Sequence, residues 1–338
     1  MNWFNIALNI LCISAYLIFG VFISVILHEL GHLFFGRLSG YKFVSFRLMK
    51  WQWAKDLNGK IKLIKGTGLG GTLGQCLMEP CDDEKDFRFI LYNSGGGIVN
   101  LITGLIFLAL FIFSDNKFIQ LSSYGICIAA ITLGITNLMP YKKALIPNDG
   151  ANLKEALKSD EAKHGLYLLL KSNADMSKGK LLSAYDENIF TVSENADISN
   201  FFVANNILLH SAQLEEQCAY EQSYNELLRL NPSKLPPYYR CALIMTLMFH
   251  ELVYFSDIET ARERIDKLAK DKLFHKLITM KHPSFLPFNA AKIGLIDNDP
   301  EKARELIAQA RKLNPTLQNP GQEHSISLML DKLESCIV

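Results

Sequence analysis

Leu27-His28-Glu29-Leu30-Gly31-His32-Leu33-Phe34-Phe35 closes an apolar run that begins near Trp3. On a helix, histidines four residues apart lie one turn apart on one face, so both can bind a single metal ion. The glutamate between them sits where it can take a proton from a water activated by that metal. The preceding run is long enough to cross a bilayer, which takes about 20 apolar residues. Ionisable side chains at that depth are costly and mark function by default. The plainer reading, polar residues of a helix end meeting headgroups, does not account for a complete HExxH. His250-Glu251-Leu252-Val253-Tyr254 begins the same way and lacks the second histidine.

Two further stretches are of spanning length, Phe89 to Phe113 and Phe118 to Met139. A cleavable signal peptide fits the first span poorly, because it has no basic leading segment and its apolar core is too long. No Lys or Arg precedes that span. Arg37, Lys42, Arg47, Lys50, Lys55, Lys60, Lys62 and Lys65 follow it, Lys117 is alone between spans two and three, and Lys142 and Lys143 come after span three. The positive-inside rule therefore predicts an integral membrane protein with its amino terminus outside and its C-terminal domain cytoplasmic, in a bacterial cell membrane. A net charge of +1 on 338 residues gives no reason to expect nucleic-acid binding. The seven cysteines are scattered and read as free thiols.

Between the first two spans, Tyr41 to Trp53 is rich in aromatic and β-branched residues, and Asn58-Gly59 is the preferred pair for a tight hairpin turn. Lys60 to Lys65 largely alternates, and Gly66, Gly68, Gly70, Gly71 and Gly74 then interrupt regular structure. The expectation is a small β-hairpin lying against the membrane. Its edge strand either aligns an extended peptide or merely caps the helices.

From Ala151 the chain turns into amphipathic helices. Tyr220–Pro232, Asp257–Leu268 and Asp299–Pro315 each follow a more apolar stretch, and Leu230-Asn231-Pro232 and Leu313-Asn314-Pro315 end two of them alike. These endings resemble the tetratricopeptide repeat, although the spacing of about 42 residues exceeds that family's 34 and its Trp/Gly/Tyr signature is absent. The fold class is thus mainly α. A polytopic membrane domain (1–155) with three transmembrane helices and a small β-hairpin is followed by a helical linker (156–195). A soluble tetratricopeptide-like helical domain (196–338) completes the chain, and its concave face would take a protein partner.

Two histidines leave a tetrahedral zinc short of ligands. Asp149, in Asn148-Asp149-Gly150 just beyond the third span, is the candidate for a third. Aspartate before glycine is equally a turn or a helix N-cap, and both readings stand here. The second span opens with Ser94-Gly95-Gly96-Gly97-Ile98-Val99-Asn100. Its glycines permit close approach of another helix or of a substrate backbone, and Asn100 can hydrogen-bond a peptide carbonyl.

Taken together, His28-Glu29-Leu30-Gly31-His32, Gly96-Gly97-Ile98-Val99-Asn100, and Asn137-Leu138-Met139-Pro140 with Asp149-Gly150 resemble the site-2 protease family of intramembrane zinc metalloproteases. The likeness covers roughly residues 1 to 155. Gly97 stands where that family often has proline, and Asn137 and Asp149 lie a few residues further apart than in many members. The resemblance implies a Zn2+ cofactor held by His28, His32 and Asp149, Glu29 as general base, and Asn100 holding the substrate or intermediate. It implies cleavage of a membrane-protein or membrane-peptide substrate, in regulated intramembrane proteolysis or signal-peptide-remnant processing. The alternative is a catalytically inactive membrane-anchored scaffold whose repeats bind a protein partner. A metal transporter is disfavoured, since three spans offer no polar through-path and no inverted repeat.

Overall fold

The computed structural model describes residues 3–56, 58–65, 73–141, 145–186, 188–268, 270–317 and 319–337. The chain divides into two compact units. The first comprises Met1–Lys55, Ile61–Lys142 and Pro147–Lys154, and the second is mainly Glu155–Val338.

The first unit begins with α1 (Trp3–Leu38), a helix without a single Pro or acidic residue before Glu29. It stops where Gly40 takes a left-handed conformation (φ 85°) and the Tyr41 amide donates back to the Gly36 carbonyl at 2.9 Å. Two more long apolar helices follow, α2 (Phe89–Phe113) and α3 (Lys117–Leu138). The turn between them is closed by Asn116, whose Oδ1 accepts from the amides of Phe118 and Ile119. All three helices are long and apolar enough to cross a membrane. Side chains such as Ile18, Leu105, Ile106 and Phe113 stand exposed on their outer faces, as lipid-facing residues do. Their mutual packing relies on small residues. A Cβ on Gly20 would lie 2.2 Å from the Gly125 carbonyl oxygen, and one on Gly125 would lie 2.3 Å from that of Tyr16. Close backbone approach of this kind is how helices associate where lipid removes the hydrophobic drive.

Between α1 and α2 lie β1 (Lys42–Leu48), β2 (Trp51–Lys55), β3 (Ile61–Lys65) and β4 (Gly74–Glu79), in the antiparallel order β3-β2-β1-β4. The expected hairpin is there as β2–β3, with Gly59 at φ 76° in its turn. The expectation was nevertheless too small, since β1 and β4 extend the hairpin to four strands. Gly66, Gly68, Gly70 and Gly71 lie outside the described residues, as do Lys142 and Lys143. Gly74 does not interrupt structure but starts β4. That strand alternates too weakly to be read locally, and its pairing with β1 is long-range. Pairing against a partner already in place overrides weak local propensity.

A fourth helix, α4 (Asp149–Ala156), begins in the first unit. The second unit contains α5 (Asp160–Ser177), α6 (Phe201–Glu216), α7 (Tyr220–Leu228), α8 (Pro237–Phe249), α9 (Ile258–Asp266), α10 (Lys272–Ile278), α11 (Leu286–Ala291), α12 (Pro300–Leu313) and α13 (Pro320–Glu334). Helices α8 and α11 each run on into a π turn, His250–Tyr254 and Lys292–Ile296. Three helical hairpins, α6–α7, α8–α9 and α11–α12, share one turn design. Cys218, Ser256 and Asn298 adopt φ near +60° at the three turns. Five residues further on in each hairpin stands a small, fully buried residue, Ser223, Ala261 or Ala303. Asp257 and Asp299 cap the following helices by accepting from the amides of Thr260 and Lys302.

Candidate metal centre

His28 and His32 lie one turn apart on α1 and both are buried, with their Nε2 atoms 3.1 Å apart. Asp149 Oδ2 lies 3.1 Å from His28 Nε2 and 3.4 Å from His32 Nε2. Bonds of about 2.05 Å to a tetrahedral ion place two ligand atoms about 3.3 Å apart, so the triangle has the right size. Beyond the two imidazoles, buried Asp149 Oδ2 has no hydrogen-bond partner among the described residues. A carboxylate oxygen orphaned between two imidazole nitrogens costs free energy unless something bridges them. The donor set therefore fits zinc. Burial works against the charge of Asp149, yet in the absence of a metal the imidazoles, when protonated, outweigh it and hold the carboxyl well below the usual carboxylate range.

The two readings of Asp149 are separated by its neighbour. The cap of α4 is Asn148, whose Oδ1 accepts from the Ala151 amide at 3.0 Å. Its Nδ2 donates to the carbonyls of Thr136 and Met139, both at 2.7 Å, and the Tyr141 amide donates to its Oδ1. Asn148 thus ties the frayed end of α3 to the start of α4. Met139 is extended (ψ 123°), as a residue before proline should be. Gly150 lets α4 close on α3, because a Cβ there would lie 2.2 Å from the Leu138 carbonyl oxygen. Asp149 is left free to turn its carboxylate to the histidines.

Each imidazole is oriented from α2. His32 Nδ1 lies 2.8 Å from the Tyr92 carbonyl oxygen. A proton on that nitrogen leaves Nε2 as the metal-facing lone pair. Asn100, fully buried, has its amide 3.3 Å from His28 Nδ1. Nε2 ligation requires the proton on Nδ1, and the Asn100 amide must then present its oxygen to the ring. That oxygen is the atom otherwise without a partner. Asn100, expected to contact substrate, is therefore placed against a candidate ligand.

The glycine run serves helix approach, one of the two purposes its sequence left open, and makes room for the imidazoles. Gly31 and Gly95 bring α1 and α2 into backbone contact, while a Cβ on Gly96 would lie 2.6 Å from both His28 Cε1 and His32 Nε2. Gly97 packs on Leu138. Any side chain at 96 would displace the imidazoles.

Glu29 is buried, within electrostatic reach of His28, His32 and Asp149. The edge strand β4 starts against it, since a Cβ on Gly74 would lie 2.5 Å from Glu29 Oε1. At the other end of the strand, Met78 packs on Gly36 of α1. The Tyr92 hydroxyl donates to the Cys76 carbonyl of β4 at 2.8 Å. One residue of α2 therefore holds both His32, through its backbone, and the edge strand, through its side chain. Sequence reading missed Tyr92, Asn148 and Gly74. The only signal for Tyr92 and Asn148 was their proximity in sequence to the motifs, and Gly74 had none.

A helix-borne His-Glu-x-x-His completed by a distant aspartate, on helices able to cross a membrane, defines a membrane metallopeptidase. The profile of peptidase family M50 matches residues 16–204. The chain belongs to that family, the site-2 protease family, whose members are zinc-dependent intramembrane metalloproteases. No curated protein and no solved structure matches the chain.

Proposed function

We propose that this chain is an intramembrane zinc metalloendopeptidase that cuts membrane-spanning peptides, with His28, His32 and Asp149 as ligands and Glu29 as general base. The observation that carries the reading is the buried triangle of two imidazoles and one orphaned carboxylate oxygen beside a glutamate. Zinc bound there would polarise the scissile carbonyl and lower the pKa of a water toward about 7. Glu29 accepts the proton of the attacking water and returns it to the leaving amine. Asn100 keeps His28 in its ligating tautomer, and the Tyr92 carbonyl does the same for His32.

A substrate helix must unwind first, because helical packing shields its carbonyls. The edge of β4, which pairs with no second strand among the described residues, supplies a place for the extended form, since a strand added there passes Glu29 at Gly74. Positive charge after the first span supports a cytoplasmic first loop and a cytoplasmic C-terminal region. The repeated hairpin turns of the second unit support a tetratricopeptide-like domain that takes a protein partner.

Zinc per chain, measured by elemental analysis on detergent-purified wild type and Asp149→Ala, tests the ligand set. Near one zinc in wild type and a clear loss in the variant are expected. Zinc-free wild type would favour the inactive scaffold, and full retention in the variant would require another third ligand.

A further inference from the structure

The last two turns of α1 and the sheet enclose a groove of about 730 Å3. Leu30, Leu33 and Phe34 form its helical wall, and Phe46, Trp53 and Ile61 form much of its sheet wall. Phe46 pairs with Trp53 across β1 and β2, with ring centroids 6.0 Å apart. Ile61 pairs with Lys55 across β2 and β3. Phe34, Trp53 and Ile61 remain exposed, so the groove is open along its length. Only two polar side chains join this lining, Arg37 and Lys55, and both are cations. Both are exposed, and no hydrogen bond or ion pair to a described residue engages either. No carboxylate lines the groove among the described residues.

We propose that this groove binds one anionic phospholipid, with an acyl chain against Leu30, Phe34 and Phe46 and the phosphate between Arg37 and Lys55. The volume lies within the range of about 300–1,000 Å3 typical of ligand sites. An extended peptide is a poorer occupant, because its backbone needs acceptors as well as donors and the lining side chains offer donors only, from Arg37, Lys55 and the Trp53 indole. A zwitterionic lipid fits less well, since nothing in the lining would meet its ammonium group. Arg37 can take two phosphate oxygens in its planar fork, and Lys55 adds a mobile point charge. Trp53 suits the boundary between acyl chains and headgroups. The site does not depend on the metal centre and stands or falls separately from it.

The test is native mass spectrometry on the full chain extracted from vesicles of equal parts phosphatidylcholine and phosphatidylglycerol. Wild type is expected to retain phosphatidylglycerol in several-fold excess. The Arg37→Gln/Lys55→Gln pair is expected to lose that preference. Lys50→Gln/Lys85→Gln, which removes the same charge away from the groove, is expected to keep it. Equal retention of the two lipids by wild type would overturn the proposal, as would preference persisting in the groove pair. Equal loss in the control pair would also overturn it, because attraction would then be diffuse. A co-purified peptide in place of lipid would do the same.

Discussion

His-Glu occurs twice in this chain with opposite outcomes. At His28-Glu29 the next turn brings a second histidine, α2 brings the Tyr92 carbonyl to one ring and the Asn100 amide to the other, and α4 brings a carboxylate oxygen with no partner among the described residues beyond the two imidazoles. At His250-Glu251 every polar atom is already engaged. His250 Nδ1 lies 3.0 Å from the Thr246 carbonyl of its own helix, and Nε2 lies 3.1 Å from Ser223 Oγ. Glu251 accepts from Tyr224 at 2.8 Å and from Arg264 Nε at 2.9 Å. The first pair leaves buried valence unfilled, and the second leaves none. A metal site is marked less by its residues than by what they lack.

The comparison breaks most sharply at the two glutamates. Glu29→Gln is expected to keep zinc and to lower cleavage of a membrane-peptide reporter by roughly 100- to 10,000-fold, the usual share of a general acid–base group. Glu251→Gln is expected to leave zinc and cleavage alone and to destabilise the second unit, because Arg264 loses its buried partner. Cleavage retained by Glu29→Gln, measured as product per zinc, would sink the mechanism.

That contrast was partly legible in the sequence. Three long apolar runs and the spacing of His28 and His32 need no tertiary information, and they point to the membrane helices and the first two candidate ligands. Asp149 was legible only with two readings, a metal ligand or a helix cap. Asn148 and Asp149 can both cap a helix, and the choice falls to Asn148 because its amide also meets the carbonyls of Thr136 and Met139. Strand β4 and the supporting roles of Tyr92 and Asn100 were not legible. Tyr92 lies 60 residues from His32, and Asn100 lies 72 from His28. Local pattern cannot reach contacts of that kind.

The engaged state of His250 has a consequence for pH. Burial pushes its imidazole down to about 4. It therefore contributes stability above about pH 6.5 that is lost as pH falls toward 4. Burial pushes Glu215 up to about 7. That group contributes stability below about pH 4.5 that is lost as pH rises through 7. Glu215 Oε1 is 3.5 Å from His250 Nε2, and the two effects oppose each other. Folded and unfolded wild type each bind about one proton at this pair between pH 4.5 and 6.5, so stability stays nearly flat there. Glu215→Gln removes the compensation. Its stability is expected to fall by on the order of 3 kcal/mol between pH 6.5 and 4. Urea unfolding followed by circular dichroism reads this directly, and a flat profile in the variant would show that His250 does not resist its proton.

A smaller effect is expected at Asn100. Asn100→Ala leaves His28 Nδ1 without its acceptor, and loss of such a supporting bond lowers metal affinity by about 10- to 100-fold. Zinc titration against a competing chelator measures it. Unchanged affinity together with impaired cleavage would return Asn100 to the substrate.

The smallest expected effect is the most discriminating. His250 finds its acceptor one turn back on its own helix, whereas His32 finds one on α2, at Tyr92. The Tyr92 hydroxyl meanwhile holds β4 at Cys76. Tyr92→Phe keeps the backbone carbonyl and the ring but deletes the tether. One net hydrogen bond is worth about 1 kcal/mol, so a loss of about fivefold is expected in cleavage. It should fall on KM more than on kcat if the extended substrate adds to β4 as proposed. Zinc content should not change, since the His32 acceptor is main chain. Loss of zinc in Tyr92→Phe would mean that the ring's packing, not the tether, supports the centre. An unchanged KM would mean that the substrate does not use this edge.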